Sequence, residues 1–151
     1  MSEGHEPREQ STVENNVLSQ PLILIENIES IMLELFRDLF EDWGYTNLLF
    51  AHDHTEAITL ARNHDCDLAV LDFISAGGGT GYGATETIKA MYEGRGGVAI
   101  IGIASCGLPY AEERFMGAGA DAFVSTPFSM YFLRDVVHRF LPVAGTPRRS
   151  L

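Results

Sequence analysis

Basic charge is scarce in this chain of 151 residues. Lys89 is its only lysine, and Lys plus Arg number 10 against 21 for Asp plus Glu, a formal charge of −11. Such an excess repels phosphate backbones and anionic lipid surfaces, so neither nucleic acid nor membrane is expected as a partner. Cysteine is scarcer still. Cys66 and Cys106 fit no CxxC spacing, which suits reduced thiols in a cytoplasmic protein better than a disulfide framework. No apolar run approaches the roughly 18 residues of a membrane-spanning helix. Met1–Gln20 is polar and acidic where a secretory signal would be basic and then apolar. No internal repeat is visible, which excludes solenoids and propellers.

Hydrophobic residues make up 46% of the chain and charged residues 21%, the composition of one globular domain with a core of its own. Residues 1–20 carry too few large apolar side chains to offset the entropy of ordering and are expected to form a disordered acidic tail. The domain is expected over 21–142. A flexible C-terminal tail is expected over 143–151, where prolines and a glycine interrupt any period.

Between the tails, short apolar runs alternate with segments of helical period. The runs Leu22–Ile25, Asn47–Ala51, Leu68–Leu71, Val98–Ile103 and Ala122–Val124 read as strands covered on both faces. Ile31, Leu35, Phe36, Leu39, Phe40 and Trp43 recur at steps of three and four and stop at Gly44, a helix with a glycine cap. Leu133, Val136, Val137, Phe140 and Leu141 do the same after Ser129, a candidate N-cap. Thr55–His64, Ala84–Glu93 and Tyr110–Gly117 supply weaker helical patterns. Five strands alternating with five helices predict an α/β fold, a doubly wound three-layer sandwich around a parallel sheet.

In such sheets ligands bind beyond the carboxyl ends of the strands. The residues expected there are Glu26 and Asn27, Asp72, Ala104 and Ser105, and Ser125, Thr126 and Pro127. Glu26 and Asp72 on neighbouring strands make a hard-oxygen pair suited to Mg²⁺ and to phosphoryl transfer, in which a carboxylate is the nucleophile. Solvated acids at a sheet edge would look the same. His52-Asp53-His54 has ligand-type residues, but its place at a strand-to-helix turn reads as a solvated loop. The run Ser75–Gly83 lacks both GxxxxGK[ST] and GxGxxG, so it reads as mobile loop rather than phosphate cradle. Lys89 reads as a solvated surface residue.

Ile23-Leu24-Ile25-Glu26-Asn27, Leu71-Asp72-Phe73 and Gly117 to Phe128 (GAGADAFVSTPF) resemble the receiver domain of bacterial two-component response regulators. The resemblance runs from about Pro21 to Pro142 and implies a flavodoxin-like sheet of order 2-1-3-4-5. It implies that Asp72 is the phosphoacceptor, served by a histidine kinase or phosphotransfer protein. It also implies Mg²⁺ held by Glu26, Asn27, Asp72 and the carbonyl of Ile74, and Phe123 as the aromatic switch. The chain departs from the family pattern at several of these places. Asn27 stands where a second acid is usual, so Mg²⁺ is expected to bind weakly or not at all. Ala104 occupies the usual Thr/Ser position, with Ser105 one residue on and, by strand alternation, expected to point away. Thr126 occupies the usual lysine position and brings a hydroxyl without the charge. The peptide before Pro127 is cis in the family, and the same is expected here.

The leading expectation is a stand-alone, atypical response-regulator receiver in a phosphorelay, acting through protein contacts without a DNA-binding output domain. Catalysis would be limited to Mg²⁺-dependent phosphorylation and dephosphorylation of its own Asp72. A homodimer is compatible with this reading, and the downstream partner is not identified by it. The first alternative is a pseudo-receiver that is not phosphorylated and works purely as an interaction module. The second is a small hydrolase on the same fold with Glu26 and Asp72 as acid and base, disfavoured because no histidine stands at a strand end.

Overall fold

A computed structural model of the chain describes residues 20–75 and 79–141. The expected tails lie outside these residues except for Gln20, which is half-buried and whose carbonyl accepts from Asn47 Nδ2 at 3.4 Å. Residues 76–78 of the expected mobile loop also lie outside them.

The strands are β1 (Leu22–Glu26), β2 (Asn47–Ala51), β3 (Leu68–Asp72), β4 (Ala99–Ser105) and β5 (Ala122–Thr126). The helices are α1 (Ser30–Asp42), α2 (His54–Asn63), α3 (Gly81–Tyr92), α4 (Ala111–Gly117) and α5 (Met130–Phe140). The strands form one parallel sheet in the order β2-β1-β3-β4-β5. Helices cover both faces. On one, Ile23, Ile25, Val70, Ile101, Ile103 and Val124 pack against Leu33, Phe36 and Phe40 of α1 and Leu133, Val136 and Val137 of α5. On the other, Leu24, Ala69, Leu71 and Ile100 meet Ala57 and Ala61 of α2, Ile88 and Tyr92 of α3 and Phe115 of α4. Alternate residues of each strand thus enter different cores, which is why the runs read as continuously apolar.

Local signals account for most element ends. Gly44, with φ 92°, follows the C-cap of α1, and Ser129 Oγ accepts from the Tyr131 and Phe132 N–H groups to start α5. The Thr126–Pro127 peptide is cis, as expected. Several boundaries differ from the expectation. Glu26, Asp72, Ser105 and Thr126 are the last residues of their strands rather than the first beyond them. Helix α3 begins at Gly81 rather than Ala84, because Thr80 caps it by accepting from the Gly83 N–H at 3.2 Å. Helix α2 begins at His54, where Asp53 Oδ1 accepts from the Glu56 N–H at 2.7 Å.

Two glycines admit one ring. A Cβ at Gly102 on β4 or at Gly81 on α3 would overlap the Phe115 side chain, so both positions must lack one for α4 to seat that ring on the sheet. Lys89 is not a plain solvated residue. Its Nζ donates to Asp121 Oδ2 and to the Val98 carbonyl, both at 2.6 Å, and ties α3 to the turns that precede β4 and β5. Tyr92 is buried, its hydroxyl donating to the Ala61 and His64 carbonyls and accepting from the Cys66 N–H.

Candidate functional site

β1 and β3 run side by side and parallel, so their terminal acids meet at one edge of the sheet. The Asp72 N–H donates to Glu26 Oε1 at 3.0 Å. Glu26 is 1% exposed, and its other oxygen, Oε2, is buried without a hydrogen-bond partner. Asp72 Oδ1 accepts from the Phe73 N–H at 2.9 Å. Burial first, and then the Glu26 charge, push the Asp72 carboxyl from 3.8 up to about 6, while the Phe73 N–H and His54 pull it back.

His54 is the third member of this edge, and sequence reasoning missed it. The ring is buried, not solvated, with Nε2 at 2.9 Å from the Asp72 carbonyl and 3.2 Å from Glu26 Oε1. A histidine therefore does reach a strand end, contrary to the expectation. Burial works to lower the His54 pKa, but the hydrogen bond to Glu26 and that carboxylate's charge outweigh it and leave the pKa raised. A signal was present in the sequence. His54, Ala57 and Ala61 recur at i, i+3 and i+7 behind the Asp53 cap, which puts His54 on the buried face of α2. His52, by contrast, is exposed ahead of the helix, its Nδ1 3.3 Å from Glu56 Oε1.

The remaining expected residues are arranged around this edge. Asn27 is buried, its Oδ1 accepting from the Glu29 N–H at 2.9 Å, so its side chain braces the turn into α1. Ile74 is 50% exposed and pairs with Thr80 across the loop. Ala104 is buried, whereas Ser105 is exposed, its Oγ accepting from the Gly107 N–H at 3.4 Å. Thr126, half-buried on β5 and paired in register with Ser105, lines a groove with Ser105, Met32, Leu35 and Phe128. Phe123 is half-buried against Phe115, with ring centroids 6.0 Å apart, and Phe115 in turn meets Phe73 beside Asp72 at 5.9 Å.

An orphaned buried carboxylate oxygen beside a second carboxylate that resists ionisation is a donor set short of positive charge. Among the described residues no three His, Cys, Asp or Glu side chains are grouped to hold a metal. A cation here would rely on two carboxylates, main-chain carbonyls and water, which suits Mg²⁺ and not a thiolate or imidazole metal.

A five-stranded parallel sheet with order 2-1-3-4-5 and acids converging at the ends of β1 and β3 defines a flavodoxin-like signalling module of receiver type. The model of the response regulator receiver domain matches residues 23–138, and the chain belongs to that family. It is similar to the polar-differentiation response regulator DivK of Brucella ovis, 28% identical over 124 residues that cover 82% of this chain and 98% of that protein. Among solved structures it shares its fold with chemotaxis protein CheY4 of Vibrio cholerae, at 18% identity and TM-score 0.70, covering 81% of this chain and 99% of that one. It shares it also with the receiver domain of sensor histidine kinase PA1611 from Pseudomonas aeruginosa, at 24% identity and TM-score 0.69, covering 81% and 97%. That receiver has a magnesium ion coordinated in its active-site cleft. Among the described residues of this chain no helix is long and apolar enough to cross a membrane.

Proposed function

We propose that this chain is an atypical receiver in a cytoplasmic phosphorelay, with Asp72 as phosphoacceptor and a histidine kinase or phosphotransfer protein as donor. The observation that carries the reading is the Glu26–Asp72 pair: a half-buried carboxylate at a strand end, held beside a buried acid with an unsatisfied oxygen. Glu26, Asp72 and the Ile74 carbonyl are the groups that would hold Mg²⁺. Asn27 braces a turn, so it adds little, and the affinity is expected to be low. When bound, the ion neutralises charge on the phosphoryl oxygens.

The chain's own part is nucleophilic. An Asp72 carboxylate oxygen forms the new O–P bond, and the P–N bond of the phosphohistidine breaks. The electron pair leaves with the imidazole nitrogen, which is then protonated from solvent. Ala104 and Thr126 supply neither the usual strand-end hydroxyl nor a positive charge, so acyl-phosphate formation and the inward movement of Phe123 are both expected to be slow. The output is a protein contact, for which the face formed by α4, β5 and α5 is available.

Incubating the protein with Mg²⁺ and a small phosphodonor tests the reading by intact mass. One added phosphoryl group, lost in Asp72→Ala, is the expected result. No addition under conditions that modify an ordinary receiver would favour the pseudo-receiver, a pure interaction module.

A further inference from the structure

His54 occupies a position that its chemistry makes informative. Its Nε2 faces two acceptors, the Asp72 carbonyl at 2.9 Å and Glu26 Oε1 at 3.2 Å, and neither of them can donate. The tautomer is therefore settled: Nε2 carries a proton and shares it between the two oxygens. The ring is locked in place. Its residue is 5% exposed, its own N–H donates to Ser75 Oγ at 3.1 Å, and the Asp53 cap fixes the start of the helix that carries it. His54 Nδ1, on the far side of the ring, is buried without a hydrogen-bond partner.

The consequence falls on Glu26. Oε1 accepts from the Asp72 N–H and lies 3.2 Å from the proton-bearing His54 Nε2, while Oε2 accepts from nothing. A cation drawing on Oε1 would have to displace the Asp72 N–H and crowd the His54 Nε2–H, whereas Oε2 is free. Donation from His54 also withdraws negative charge from the carboxylate that a hard cation needs most.

We propose that His54 is a positioning residue that sets the cation affinity of this site: by clamping Glu26 Oε1 to the Asp72 carbonyl, it restricts Glu26 to one free oxygen and holds Mg²⁺ binding down. The inference rests on the reading of Glu26 and Asp72 as the cation-binding pair. It makes His54 the reason that a site with two acids in contact binds Mg²⁺ weakly, in addition to the uncharged Asn27.

The test is a Mg²⁺ titration of the full chain, followed through the Asp72 amide signal by NMR and by calorimetry, with no phosphodonor present. His54→Leu keeps the bulk and removes the donor, and is expected to bind Mg²⁺ about tenfold more tightly. His54→Gln restores an N–H near the Nε2 position and is expected to return the affinity to within about twofold of the unmodified chain. If His54→Leu folds poorly, His54→Asn, too short to reach Glu26, takes its place with the same expectation. Unchanged or weaker binding in the donor-less variants, while the unmodified chain binds Mg²⁺ and Glu26→Gln does not, overturns this inference and leaves the site reading standing. No binding by any of them at tens of millimolar Mg²⁺ overturns both.

Discussion

The main-chain N–H of Asp72 donates to the side chain of Glu26 at 3.0 Å, so the acid that ends β1 is held by the backbone that ends β3. With Asp72 Oδ1 held in turn by the Phe73 N–H, the two carboxylates cannot move apart without breaking a partly buried hydrogen bond. Their repulsion is therefore built into the fold, and it makes the site responsive to positive charge.

The first consequence concerns stability. Asp72 titrates near 6 in the folded chain, above its ordinary 3.8. Between those values the folded state holds the proton that the unfolded state has lost, so stability falls as pH rises through this window, and the penalty is fully present above it. Asp72→Asn removes the penalty. It is expected to stabilise the protein at pH 8 by about 1–2 kcal/mol, after allowance for solvent screening of a half-buried group, and to change little at pH 4. Urea unfolding of both proteins at the two pH values checks this, and an equal effect at both would count against it.

Glu26 should be separable from Asp72 by function. Glu26→Gln keeps an acceptor for the Asp72 N–H but removes the charge, so the fold is retained while the Asp72 carboxyl shifts downward, since Glu26 is the second cause of its elevation. Modification by a small phosphodonor is expected to slow by at least about tenfold as the cation site is lost. Carboxyl NMR titration reads the first effect and intact mass over time the second.

Thr126 offers a gain of function. The family pattern places a lysine there, and Thr126→Lys would add a cation to a site whose acids outnumber its positive charges. Faster modification of Asp72 by a small phosphodonor is the expected outcome. An unchanged rate in a folded variant would mean that position 126 does not address the phosphoryl group.

Gly102 tests the packing behind the site. Its missing Cβ leaves room for the Phe115 ring, and Phe115 links Phe73, beside Asp72, to Phe123. Gly102→Ala is expected to destabilise the chain by about 1–3 kcal/mol, with partial recovery when Phe115 is shortened to Leu. Thermal unfolding of the single and double variants measures both terms.

The alternation of apolar runs with helical periods determined the α/β class, because strands buried on both faces and amphipathic helices leave different spacings in the chain. The family motifs marked Glu26, Asp72 and the cis peptide before Pro127. Gly44 and Ser129 declared their helix ends through local backbone chemistry, which needs no distant partner. The sequence pattern starts α3 three residues late because a glycine-rich stretch favours no helix by itself, and the Thr80 cap together with the Phe115 ring pressed on Gly81 decides otherwise.

His54 shows where the sequence stopped. A histidine between Asp53 and Thr55 looks solvated when only its neighbours in the chain are visible, and its helical spacing to Ala57 and Ala61 shows only that it faces inward. What it meets there depends on β1 and β3 arriving from residues 26 and 72, and that convergence belongs to the sheet order alone. Lys89 follows the same rule, its charge answered by Asp121 across the turn before β5. The sequence by itself determined which residues could carry the chemistry, since periodicity and capping are local. Only the tertiary structure decided which of them share a hydrogen bond, because burial and pairing are contacts between segments that are distant along the chain.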